Sequence, residues 1–191
     1  MDTSNDSNTW ADMCARDHFV QFYDEDQTIV EAVAGYFSFG MRFKEGCLLV
    51  GTEQHNEAIL GCMRELGCNV DEAISVGRFI VIGAEETLAK FMRGGMPDQE
   101  LFESVVGGVV ANVTIRDKPP RVFGEMVAVL SEHGNTAAAI ALEKLWNDLA
   151  KRTQFRLFCA YKHQVVNQSG ASGFTREICS THSHVIGLAT A

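Results

Sequence analysis

The chain has 191 residues, a size that one compact domain with a single core can fill. Hydrophobic residues make up 46% and charged residues 21%, close to globular averages, which excludes a disordered or membrane-embedded composition. Sixteen basic against twenty-five acidic residues give a net charge of −9, with no basic run longer than Lys151-Arg152, so the basic footprint that direct nucleic-acid binding needs is missing.

The opening Met1-Asp2-Thr3-Ser4-Asn5-Asp6-Ser7-Asn8 is polar and acidic, without the basic and apolar regions of an export signal. Apolar runs such as Cys47-Leu48-Leu49-Val50 fall far short of the ~20 residues a membrane helix takes. A soluble, cytoplasmic protein is expected, with a loose tail over residues 1–16 and a single domain over 17–191. Cys14, Cys47, Cys62, Cys68, Cys159 and Cys179 are scattered through apolar segments and are expected to be reduced thiols packed as small hydrophobes.

In chain order, His18-Phe19-Val20-Gln21-Phe22-Tyr23 is rich in aromatic and β-branched residues and predicts a strand. It stops at Asp24-Glu25-Asp26, acidic residues suited to a helix N-terminus. Ile29, Val33, Phe37 and Met41 then recur at helical spacing until Lys44-Glu45-Gly46. Cys47–Gly51 is a continuous apolar run, as in a strand covered on both faces, and Ile59, Met63 and Leu66 mark a second amphipathic helix that ends at Gly67. Arg78–Gly83 predicts a third strand, followed by a short helix from Glu85 to about Met92 and a longer one carrying Phe102, Val106, Val109 and Val113, which Pro119-Pro120 closes. Arg121–Glu125 is a fourth strand candidate, Leu142, Leu145, Trp146 and Leu149 line a helix after Asn135, and Phe155–Tyr161 supplies a fifth strand.

Strands alternating with helices over ~30-residue units predict the α/β class, with a largely parallel central sheet and helices on both faces. Ligands of such sheets bind beyond the carboxyl ends of the strands. The residues to watch there are Tyr23-Asp24, Thr52-Glu53, Glu125-Met126 and Tyr161-Lys162.

The loop after the first strand is where a phosphate cradle would sit. It carries three carboxylates, and the chain has no G-x-x-x-x-G-K-[ST] run, so ATP hydrolysis is not expected. Glu125 closes a strand where nucleotide hydrolases hold a carboxylate, and can be read as a relic acid, a ligand acceptor or a partner for a helix end; Glu53 is a second, weaker case. Tyr23, Phe123, Met126, Trp146 and Tyr161 could line an apolar pocket for a small organic ligand, although aromatics at such spacings commonly form core.

Cys179-Ser180-Thr181-His182-Ser183-His184 has a C-x-x-H-x-H spacing that offers one thiolate and two imidazoles to a transition metal such as zinc, with Cys159 and His163 as candidate further ligands. No C-x-x-C pair completes it. A Cys159 or Cys179 nucleophile with His182 as base is the remaining enzymatic reading, against which stands their apolar sequence context. His18, opening the first strand, is expected to hydrogen-bond structurally, and His55 and His133 to lie at the surface.

Val20–Asp24, Arg121–Val127, Leu142–Asn147, Phe158–Tyr161 and Ile178–His184, five blocks in order from His18 to about Ile186, resemble the MEDS family, the methanogen/methylotroph DcmR sensory domain. Tyr23, Phe123, Glu125, Trp146, Cys159, Tyr161, Cys179 and His182 match its blocks. The resemblance implies a degenerate relative of the RecA/KaiC-type ATPase fold that has lost the phosphate loop. It also implies a sensory role toward small organic, hydrocarbon-like compounds. No helix-turn-helix or kinase has room after residue 186, so the signal is expected to pass to a separate regulatory protein or through self-association as a homodimer.

The leading expectation is therefore a non-enzymatic module that binds a small organic molecule and signals to a partner involved in transcription regulation. A metal- or redox-responsive regulator built on Cys159, Cys179, His182 and His184 is the alternative, and residual nucleotide binding through Glu125 is a third reading.

Overall fold

Apolar runs and amphipathic helices alternate along the chain, and the strands that the runs form pair side by side in one direction. The computed structural model describes residues 10, 12–115, 118–168 and 172–187. The elements are β1 (His18–Tyr23), α1 (Asp26–Arg42), β2 (Cys47–Gly51), α2 (Glu53–Glu65), α3 (Val70–Ser75), β3 (Phe79–Gly83) and α4 (Ala84–Phe91). A small hairpin of β4 (Met92–Arg93) and β5 (Met96–Pro97) leads into α5 (Gln99–Phe102), a π-helical turn (Glu103–Gly107) and α6 (Gly108–Val113). Then come β6 (Arg121–Gly124), α7 (Met126–Glu132), α8 (Thr136–Arg152), β7 (Arg156–Lys162), α9 (His163–Gln168), α10 (Ser172–Thr181) and β8 (His184–Ile186).

The α/β class and the parallel sheet expected from sequence are both present. Six strands lie in the order β3-β2-β6-β7-β1-β8, each neighbouring pair parallel. The register sets Val20 beside Cys159 and Leu49 beside Phe123. Because successive strand residues point to opposite faces, Leu157, Cys159 and Tyr161 of β7 face one core with α4 to α8 and α10, while Phe158 and Ala160 face a second core with α1, α2 and α3. No helix among the described residues is long and apolar enough to cross a membrane.

Several elements lie beyond the sequence reading. The helix α7 is buried along its whole apolar length, Met126 to Ser131, so it has no polar face and no amphipathic stripe to betray it. The expected long helix through Val113 is interrupted by the π-helical turn, where Gly107 leaves room for Leu149 of α8. A three-residue edge strand such as β8 is too short for any periodicity.

Arg121 is the largest charged side chain in the interior, 1% exposed. Its Nε donates to Glu45 Oε2 at 2.7 Å and its Nη2 to the Trp10 carbonyl at 3.0 Å, while the guanidinium lies 4.8 Å from the ring centres of both Tyr36 and Phe39. A Cβ on Gly40 would sit 2.7 Å from Arg121 Cδ, so α1 needs glycine there. Within the segment expected to be a loose tail, Trp10 and Met13 are buried by this contact, because two apolar side chains in a polar stretch suffice to anchor it. Residues 1–9 and 11 of that segment lie outside the described residues.

Candidate functional site

The C-terminal half of α1 and the corner between α2 and α3 leave a cavity of about 790 Å³ between them, within the range of small-molecule sites. Trp10, Phe39, Met41, Cys62 and Leu66 give it apolar walls, and Ser38, Cys68, Asn69 and Arg78 give it polar points. The Cys68 thiol donates to Ser38 Oγ at 3.2 Å. The indole Nε1 of Trp10 and the Nε of Arg78 are both buried without a hydrogen-bond partner among the described residues. Burial raises the pKa of the Cys62 thiol above its ordinary value.

A second polar constellation occupies the carboxyl edge of the sheet. Glu125, directly after β6, accepts the Thr52 backbone N–H at 2.8 Å through Oε2 and contacts His55 Nδ1 at 2.5 Å through Oε1. His55 Nε2 lies 3.6 Å from Asp26 Oδ1, which Lys162 Nζ holds at 3.0 Å. Glu125, Asp26 and Lys162 stand at strand or helix ends, and this is the convergence of strand ends expected from sequence. His55 is a correction to that reading. It is 7% exposed and not at the surface, because Thr52 caps α2 and turns its first residues in against the sheet edge. The hydrogen bond to Glu125 raises the pKa of His55, and the hydrogen bond from Lys162 lowers that of Asp26. A Cβ on Gly51 would fall 2.5 Å from Asn56 Oδ1 and 3.2 Å from Glu125 Oε2, so the strand must end in glycine for Glu125 to dock.

The third constellation is buried on the opposite face of the sheet from the cavity. Glu143 of α8, with no exposed surface, accepts the Tyr161 hydroxyl at 2.7 Å through Oε1. Its Oε2 lies 3.3 Å from His18 Nε2 and 3.5 Å from His182 Nε2, with Cys159 Sγ at 3.9 Å. Burial and the neighbouring carboxylate push the Cys159 thiol well above its ordinary pKa, which disfavours the thiolate a nucleophile requires.

Residues 17–183 match the model of the MEDS family, described as the MEthanogen/methylotroph, DcmR Sensory domain. The chain belongs to the MEDS family. No curated protein matches it. The matched span starts one residue before β1 and ends one before β8, so it takes in the carboxyl-edge and Glu143 constellations and all of the described cavity wall except Trp10.

This MEDS domain distributes the sequence-predicted residues unevenly. Tyr23 and Glu125 reach the carboxyl edge, where Glu125 and burial together raise the pKa of the Tyr23 hydroxyl, burial most. Glu53 is exposed in the first turn of α2. Phe123 packs under α1, whereas Met126, Trp146 and Tyr161 lie in the core on the other side of the sheet. Trp146 is wedged between Phe102 and Phe155, with ring centres 5.2 and 5.8 Å away. None of these seven lines the cavity beside α1.

Of the four residues expected to hold metal, Cys159 and His182 come together, but Cys179 and His184 do not join them. Cys179 packs partly buried against the core, and His184 stacks on Phe19 at 4.2 Å with its Nε2 3.6 Å from Asp17. His18 and Glu143 complete the group instead. The missed signal was Glu143 itself: Ala139, Leu142, Glu143 and Trp146 fall on one buried helical stripe, where a carboxylate needs partners.

Proposed function

We propose that this MEDS domain senses a small, largely apolar organic molecule by enclosing it between α1 and α2, and relays occupancy to a separate regulatory protein without chemically altering the ligand. The cavity carries this reading: it has ligand-sized volume, and its wall is largely apolar, with polar points at Glu31, Ser38, Arg42, Asn69 and Arg78. A molecule with a hydrocarbon body and a polar end matches apolar walls that carry a few polar groups. The sensory description of the family supports the same role.

Relay requires the ligand to prefer one of two arrangements. Helix α1 is the element able to carry that preference. Its C-terminal half walls the cavity, while Asp26 in its first turn belongs to the Glu125–His55–Lys162 constellation. Phe43 and Leu66, 53% and 59% exposed, flank the α1–α2 groove and offer apolar surface to a partner, with a second copy of the chain as the other recipient.

The test is thermal unfolding with benzene and hexan-1-ol as apolar probes and glucose as the polar control. A probe at a hundred times its Kd stabilises the native state by about 2.7 kcal/mol, a shift of roughly 5–11 °C for a chain of this size. The reading expects such a rise for an apolar probe and a smaller one in Cys62→Phe, whose added ring takes space from the cavity wall. No rise with either probe, or a rise unchanged by Cys62→Phe, overturns it.

A further inference from the structure

The cluster beneath α8 has a geometry that its own hydrogen bonds do not explain. His182 Nδ1 donates to the Ile178 carbonyl at 2.7 Å, which turns the Nε2 lone pair of the ring toward the cluster. That Nε2 is fully buried and has no hydrogen-bond partner among the described residues. His18 Nδ1 faces Asn147 Oδ1 at 3.0 Å, and the same amide spends its Nδ2 on the Thr181 carbonyl at 2.8 Å, which leaves Oδ1 as the acceptor and turns the His18 Nε2 lone pair inward as well. Between the two nitrogens lies a carboxylate oxygen of Glu143, with no Lys or Arg to neutralise it among the contacts described. The single Cys159 thiol proton, 3.4 Å from His18 Nε2 and 3.9 Å from Glu143 Oε2, cannot serve all three acceptors, which repel one another unless something positive sits among them.

We propose that His18 Nε2, His182 Nε2, Cys159 Sγ and Glu143 Oε2 form a buried tetrahedral site for a divalent transition metal, zinc in the first instance. The four atoms all lie within 4.8 Å of one another. With Zn–N and Zn–O bonds near 2.0–2.1 Å and Zn–S near 2.3 Å, the edges of a tetrahedron come to roughly 3.3 Å between nitrogen and oxygen and about 3.6 Å to sulfur. The observed separations are 3.3 and 3.5 Å for nitrogen to oxygen, 3.4 Å for nitrogen to sulfur and 3.9 Å for oxygen to sulfur.

Charge closes the argument. Two neutral imidazoles, one carboxylate and one thiolate neutralise a divalent cation, so the filled site carries no net charge into the core. Loading forms the metal–sulfur bond and releases the Cys159 thiol proton to solvent. A mixed nitrogen, sulfur and oxygen set suits zinc or cobalt(II) better than magnesium or calcium, which take oxygen alone. Asn147, the Ile178 carbonyl and Tyr161 fix the ligands from outside, as outer-shell groups do at metal sites. The metal would tie β1, β7, α8 and the residue after α10 into one unit. It lies across the sheet from the cavity, so this proposal does not depend on the sensing pocket.

The test is titration of the metal-free, reduced 191-residue chain with Co²⁺, followed by displacement with Zn²⁺. One equivalent is expected to produce the intense visible bands of tetrahedral cobalt and a near-ultraviolet sulfur-to-cobalt band. Cys159→Ser removes the sulfur band, Asn147→Ala weakens affinity by about 10–100-fold as an outer-shell change does, and a Cys14→Ser, Cys179→Ser double variant changes nothing. No tetrahedral spectrum, or a sulfur-to-cobalt band that persists in folded Cys159→Ser, overturns the site. Should Cys159→Ser fail to fold, X-ray absorption of the zinc-loaded wild type decides: one sulfur among four ligands upholds the site, and any other sulfur count overturns it.

Discussion

Replacing Arg121 by Met tests whether one buried cation organises the amino-end half of the sheet. The Arg121–Glu45 pair spans 2.7 Å, with side chains 1% and 12% exposed, so its loss strands a carboxylate in a poorly solvated place. Breaking such a pair costs about 3–5 kcal/mol. Arg156 Nη1 stays 3.5 Å from Glu45 Oε1 and compensates part of the charge, which puts the expectation near the lower limit, about 3 kcal/mol. For a chain of this length that is a drop of roughly 6–12 °C in the unfolding midpoint. Urea unfolding of Arg121→Met, Glu45→Gln and the double variant gives the coupling directly, expected between about 1 and 3 kcal/mol. Arg121 also holds the Trp10 carbonyl, so the variant should weaken benzene or hexan-1-ol binding in the cavity. A cost below about 1 kcal/mol with a coupling near zero would refute the clamp, because a paired buried charge cannot be that cheap to break.

Two glycines predict opposite signs. Gly46→Ala places a Cβ 1.8 Å from the Val113 carbonyl oxygen, a backbone atom that cannot rotate away, and should cost about 3 kcal/mol or more in urea unfolding. Gly61→Ala, in α2 with nothing within 4 Å, should stabilise by about 0.5–1 kcal/mol by calorimetry. Trp146→Ala empties a fully buried indole site and should cost about 3–5 kcal/mol, with loss of near-ultraviolet dichroism. The pH profile has a definite sign: the folded pKa of His55 lies above the ordinary histidine value, so the Glu125–His55 contact contributes fully below about pH 6.5 and fades as pH rises through the folded value. Asp26, lowered from 3.8, contributes above that pH and fades as pH falls through its folded value. Urea midpoints between pH 5 and 9 should therefore decline more steeply in wild type than in Glu125→Gln (a window set by the ordinary histidine range, ~6.5); equal slopes would mean that the contact is not formed in solution.

The alternation of apolar runs with amphipathic stripes was enough to locate five of the six sheet strands, and with them the strand-end position of Glu125. Both follow from local periodicity, which a sequence displays directly. Partners across the sheet are another matter. His18 and Glu143 are separated by more than a hundred positions, and they meet only because β7 lies beside β1 and α8 lies over both. The cavity exists because α1 and α2 diverge over residues that read as ordinary helix faces, and its wall includes Trp10 from a stretch whose polar composition hid one anchor. The sequence by itself determined the class of the fold, the absence of a phosphate loop and the family blocks, since each is written in contiguous residues. Only the tertiary structure decided which imidazoles, carboxylates and thiol face one another and where a ligand-sized space remains, because those depend on strand order and helix packing that no local pattern encodes.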